Sequence, residues 1–121
     1  MANSSAVKRK LSGSSDGIGI SITATATAGT TVHTAVAGTT AWVYDEIWLY
    51  ATNNHTAAVN LTIEYGNATT TNNIQMSIPF KQWMYLVLPW LILQNGGTVK
   101  AFASTTAVIT IHWWVNSITE A

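Results

Sequence analysis

The chain has no cysteine, only two prolines, and charged side chains at 8% of its residues. Without cysteine there are no disulfides, thiol nucleophiles, zinc–thiolate sites or iron–sulfur sites. The longest apolar-looking stretch, Met84 to Leu93, is broken by Pro89 and falls short of the roughly 18 residues of a membrane-spanning helix. Met1 to Lys10 has no apolar h-region, so no signal peptide is expected. The Asn-x-Ser/Thr sequons at Asn3, Asn54, Asn60 and Asn67 are those that chance supplies in a chain so rich in Asn and Thr. A disordered chain needs low hydrophobicity and high net charge, but here 48% of residues are hydrophobic and the net charge is zero. A nucleic-acid binder normally carries a basic excess, and none is present overall.

What is there fits one domain of 121 residues. Ser, Thr, Asn and Ala stand where charge normally sits, with 19 Thr and six Trp. So neutral a surface favours association, and a homo-oligomer of three or more subunits is expected. Three of the five basic residues form one run, Lys8-Arg9-Lys10. From Leu11 onward two basic residues face five acidic ones, leaving a net −3. Residues 1–16 therefore read as a flexible basic arm, dispensable for folding and suited to docking on an acidic neighbour. Residues 17–121 read as a single domain.

The body alternates with period two. Ile18, Ile20, Ile22, Ala24 and Ala26 mark a first strand, and Val32, Thr34 and Val36 a second. In Trp42–Thr52, Val43, Asp45, Ile47, Leu49 and Ala51 oppose Tyr44, Glu46, Trp48 and Tyr50. Large apolar groups on both faces predict that both are covered. Asn53–Thr56 reads as a turn leading to Ala57–Tyr65, and the two strands as an antiparallel hairpin. Further strands are expected at Ile74–Ile78, at Trp83–Leu88 (ended by Pro89), at Thr98–Ser104 and at Ala107–Ile118. Gln94–Gly97 is the strongest turn signal. No helical stripe is present. The expected fold is all-β, an antiparallel sandwich of about eight strands with a jelly-roll arrangement.

Chemistry-bearing clusters are sparse. Glu46 and Glu64 lie on the two strands of the expected hairpin and would be neighbours there, as in a carboxylate pair. The plainer reading makes them solvated or partners of Lys81 or Lys100. His33, His55 and His112 lie on separate elements without metal-ligand spacing. Serine has no G-x-S-x-G context, and Gly17-Ile18-Gly19 fails the dinucleotide fingerprint. No catalytic, cofactor or metal site is expected, and the chain reads as non-enzymatic. The Trp residues carry the remaining signal. Trp113 and Trp114 are adjacent on a strand, so they are expected on opposite faces, Trp113 inward with Ile109 and Ile111 and Trp114 outward. Core filling plus subunit interface ranks ahead of sugar stacking, which would also need polar partners. The interface candidates are Trp83, Trp90, Trp114, Lys8, Arg9 and Lys10.

Several stretches carry a resemblance. They are Asp45-Glu46-Ile47-Trp48-Leu49-Tyr50-Ala51, Leu61-Thr62-Ile63-Glu64-Tyr65-Gly66, Val87-Leu88-Pro89 with Leu91-Ile92-Leu93, Gly96-Gly97-Thr98-Val99-Lys100-Ala101-Phe102-Ala103, and the closing Ile109-Thr110-Ile111-His112 and Val115-Asn116-Ser117-Ile118-Thr119. Together, over roughly Lys8 to Thr119, the chain resembles small virion structural proteins of tailed bacteriophages and prophages. That resemblance implies a β-rich subunit of the phage particle, a capsid decoration (cement) protein or a tail or neck component. Its partners would include other virion proteins such as the major capsid protein, with no membrane or nucleic acid. Trp83, Trp90 and Trp113 depart from the pattern, since they stand at turn-like positions. The alternative from another class is a carbohydrate- or receptor-binding module that uses exposed Trp.

Overall fold

The computed structural model describes residues 4–80 and 83–120. Lys81, a proposed carboxylate partner, lies outside the described residues. The strands are β1 (Ser4–Lys10), β2 (Ile20–Ser21), β3 (Thr30–Thr34), β4 (Tyr44–Asn53), β5 (Val59–Gly66), β6 (Asn73–Ile78), β7 (Tyr85–Leu93), β8 (Thr98–Ala103) and β9 (Ile109–Glu120). A single 3₁₀ turn, Thr70–Asn72, precedes β6. One sheet runs β1-β9-β4-β7, with β2 also on β9, and the other runs β3-β8-β5-β6. Every pairing is antiparallel. This is the interleaved order of a jelly roll, two four-position sheets face to face. β1 and β2 share one position, because β1 pairs with residues 114–120 of β9 and β2 with residues 110–111.

Period-two alternation builds the core. β4 alternates half-buried and buried along its whole length, and Ile47, Leu49 and Ala51 are fully buried. They meet Ile109, Ile111 and Val115 of β9 within the same sheet. Leu61, Ile63, Val99, Ala101 and Ala103 close the core from the other sheet. Leu11 and Ile22 complete it.

Several expectations change. The basic segment is no free arm: Ser4–Lys10 pairs in unbroken register with β9, and Leu11 behind it is buried. The first strand ends early because its chain changes sheets. Ile22 still exchanges backbone bonds on the β9 side, with Ile109 and Ala107, whereas the Ala24 carbonyl accepts from Ala103 of β8. Ile18 precedes that strand behind a turn with Asp16 and Gly17 at positive φ, and it is 67% exposed. β4 and β5 form no hairpin, since they belong to different sheets. The buried Asn53 side chain fixes that crossover. Its Nδ2 donates to the carbonyls of Ala57 and Ile78, and its Oδ1 accepts from His55 N–H. β7 continues through Pro89 to Leu93 instead of ending there. An edge strand has no ladder bond to lose on its open side.

Glu46 and Glu64 consequently lie in different sheets, and no carboxylate pair forms. Glu64 is buried on the outer side of the four-stranded sheet beneath the chain that precedes β3. Its carboxylate accepts from Thr27 Oγ1 at 2.5 Å and from Gly29 N–H at 2.6 Å. Gly29 is needed there, since a Cβ would stand 2.5 Å from the Ala101 carbonyl oxygen.

On the opposite flank Tyr65 of β5 donates its hydroxyl to the Ile92 carbonyl of β7, at 2.7 Å, and so ties the sheets together. Burial pushes its pKa up to about 12 from 10.0. The unfolded chain therefore ionises first, and stability falls as pH rises from about 10 towards 12. Urea midpoints measured near pH 9 and pH 11 are expected to drop less in Tyr65→Phe than in the native chain. Deleting residues 1–10 removes β1 and bares one edge of β9. The melting temperature is expected to fall by about 4 °C or more, read by circular dichroism.

Candidate docking face

The outer face of the five-stranded sheet carries Tyr44, Glu46, Trp48 and Tyr50 from β4, and Trp114, Asn116 and Ile118 from β9. Lys8 comes from β1, opposite Asn116. Leu86 and Ile92 of β7 join them opposite Tyr50 and Glu46. The face is a run of large rings. Trp48 and Trp90 meet edge to face at 5.2 Å, Tyr50 and Trp113 lie 4.4 Å apart, and Trp113 stacks on Trp114 at 4.5 Å.

Two of these rings are aimed by unusual backbone. Between Ile47 and Leu49 the partner residue on β7 jumps from Leu91 to Leu88, so an extra residue bulges out around Pro89 and Trp90. Trp90 has φ 41° there and is 61% exposed. A bulge re-aims side chains in this way. Trp113 has φ 114°. It was expected inward, on the face of Ile109 and Ile111, but its ring lies against Tyr50 and Trp114 on the outer face. Left-handed backbone is costly for a bulky side chain and persists only where its surroundings hold it. Tyr50 and Trp114 hold Trp113. Trp90 has one aromatic neighbour and otherwise faces solvent.

The interface candidates divide accordingly. Trp90 stands on the β7 margin of the face with the exposed Leu86 and Ile92. Trp114 is on the outer face as expected, yet half-buried, with Lys8 Nζ 4.2 Å above its ring and Trp113 beside it. Its indole N–H is buried without a partner. Trp83 is 79% exposed ahead of β7 and, among the described residues, joins no ring cluster. Arg9 points to the inner side of β1, opposite Val115, and Lys10 donates to the Ser14 carbonyl at 3.1 Å. Trp42, at 61% exposure, was not singled out from the sequence. Glu46 lies on the expected face with Trp48, but its partners are not a lysine or Glu64: its Oε1 accepts from Trp48 Nε1 at 2.9 Å and from Asn116 Nδ2 at 3.2 Å. That polar set beside a Trp becomes visible only when β9 is known to lie next to β4.

A second polar cluster lies at the open end between the sheets. His33 of β3 is buried because the ladder shifts register between Thr31 and His33. Ser12 N–H donates to its Nδ1 at 2.9 Å, and its Nε2 donates to Asp45 Oδ2 at 2.7 Å. Ser117 Oγ donates to Asp45 Oδ1 at 2.6 Å, and Val36 N–H to Oδ2 at 3.2 Å. The carboxylate sits between serine and histidine, and both ring nitrogens are already engaged. The order is thus unlike a nucleophile activated by its neighbouring base. Its effect is mechanical, fastening β3 to β4 and β9 across the two sheets. His112 shares a long hydrogen bond with Thr52 Oγ1, at 3.4 Å. Among the described residues no group of three or more His, Asp or Glu side chains is placed to hold a metal ion. No helix there is long and apolar enough to cross a membrane.

Comparison with protein-family models, with curated proteins and with solved structures finds no match.

Asp45→Ala leaves His33, Ser117 and Val36 without their acceptor. A loss of about 3 kcal/mol is expected in urea unfolding, because removing one member of a buried pair strands the others.

Proposed function

We propose that this chain is a non-enzymatic structural subunit that assembles with further copies of itself by burying the outer face of its five-stranded sheet. The observation that carries this reading is Trp90, a large aromatic kept in left-handed backbone and pointed at solvent among Trp48, Leu86 and Ile92. A free surface gains nothing from that arrangement, whereas an interface gains an aromatic anchor. The scarcity of charge supports it, since little on this face repels a second copy. The resemblance in sequence extends the proposal to a capsid decoration subunit of a tailed-phage head, arranged in trimers or larger rings beside the major capsid protein. No cofactor takes part.

A carbohydrate-binding role is the second reading. The Glu46–Trp48–Asn116 set beside the exposed Trp90 ring favours it, since stacking platforms act together with hydroxyl-binding polar groups.

Substitution of Trp90 separates backbone strain from association. Trp90→Gly relieves the positive φ and is expected to leave the melting temperature unchanged or higher. The same substitution is expected to weaken self-association by about tenfold or more, read by light scattering across a dilution series. A native chain that scatters as a 13.0 kDa monomer at micromolar concentration overturns the assembly reading. Quenching of Trp fluorescence by an oligosaccharide panel, lost in Trp90→Gly, would favour the carbohydrate reading.

A further inference from the structure

The two sheets have four outer edges: β1 and β7 on one, β3 and β6 on the other. Three of them differ from β1 in what they offer. β3 is covered, because Gly13 N–H donates to the Val32 carbonyl and Thr34 N–H donates to Ser12 Oγ. β7 carries Pro89 and two register shifts. β6 is straight but has no charged residue. β1 runs seven residues in unbroken register with β9 and, among the described residues, has no strand on its other side. Its backbone groups on that side are a template for another strand.

β1 also concentrates the positive charge of the molecule. Lys8, Arg9 and Lys10 are three of the five cations in the chain, and the remainder carries a net −3. Among the described residues the only ion pair joins His33 to Asp45, so no carboxylate neutralises the three. Successive strand residues point to opposite faces. Lys8 and Lys10 therefore lie on the outer side, while Val7 and Arg9 lie on the inner side, opposite Ser117 and Val115. Val7 is 47% exposed. A cavity of about 620 Å³ opens between β1 and β3, lined by Arg9, Lys10, Ser12 and Thr34 above His33 and Asp45.

We propose that the free edge of β1 receives an extended acidic segment of a partner protein as an added strand. Carboxylates on both faces of that strand would meet Lys8 and Lys10 on one side and Arg9 on the other. An apolar residue between them would cover the exposed Val7. Main-chain bonds supply the attachment and the alternating charges supply the choice of partner. A nucleic acid fits less well. Three phosphate contacts give only a weak, salt-sensitive hold, and neither the open ladder nor Val7 would be used. The edge is separate from the Trp90 anchor, so this inference stands whether or not the chain self-assembles.

The test uses the full chain and labelled seven-residue peptides. The first carries glutamates on both sides of a central valine, so that carboxylates lie on both of its faces. The second has the same charge but a central proline, which blocks strand pairing. The third replaces those glutamates with lysine. Fluorescence anisotropy is expected to detect the first peptide only. Its affinity should fall about tenfold or more at roughly 0.5 M salt and in Arg9→Glu, an exposed site. Hydrogen exchange on the native protein is expected to show alternate amides of residues 4–10 slowing when that peptide binds. Equal binding of the proline peptide, binding without amide protection, or no binding overturns the proposal. So does an oligothymidine of about ten nucleotides that binds as tightly. Light scattering without peptide reads self-association separately, so failure here is distinguishable from failure of the assembly reading.

Discussion

The architecture depends on β9. Its twelve residues carry β4 along one side and both β1 and β2 along the other. One side of this ladder must face the second sheet, and Ile109, Ile111 and Val115 place fully buried aliphatic groups there. Period two then leaves the other side of the same strands, with Trp114 and its neighbours, outside the core. Because β4 is also apolar on both faces, the sheet cannot cover itself with charge. It covers itself partly with its own rings, and it leaves Trp90, Leu86 and Ile92 exposed.

Hydrophobic packing alone would let two such sheets slide against each other. Three buried or half-buried polar ties prevent that at different points around the sandwich. Asp45 collects donors from β3, from β9 and from the chain after β3. Asn53 holds the crossover between the sheets. Tyr65 closes the far flank on Ile92. Each is a group whose burial is tolerable only because its partners are present, so each specifies one relative position of the sheets.

The two functional surfaces proposed here follow from the same composition. A chain with 8% charged residues that gathers most of its cations onto one edge strand has a neutral aromatic face and a polarised edge. Lys8 belongs to both, since it lies over Trp114 while standing in the basic run. The anchor Trp90 and the open side of β1 lie at opposite margins of the same sheet.

The fold class was legible in the sequence because period-two alternation is a local property. Ile47, Leu49, Ala51, Val99, Ala101, Ile109 and Ile111 each announce an inner face without reference to any other strand. The long β4, the Gln94–Gly97 turn and the two faces of β8 were legible for the same reason. Neighbours were not, because alternation shows that a residue faces inward but not which sheet it belongs to. The supposed β4–β5 hairpin, the pairing of Glu46 with Glu64 and the length of the first strand failed on that point. Residues 4–10 looked like an arm because an edge strand has little apolar patterning to reveal it. The docking face depended on backbone that alternation cannot represent. The bulge at Pro89–Trp90 and the φ of Trp113 turn aromatic rings towards one side, and only the register of β4 against β7 and β9 determines which side that is.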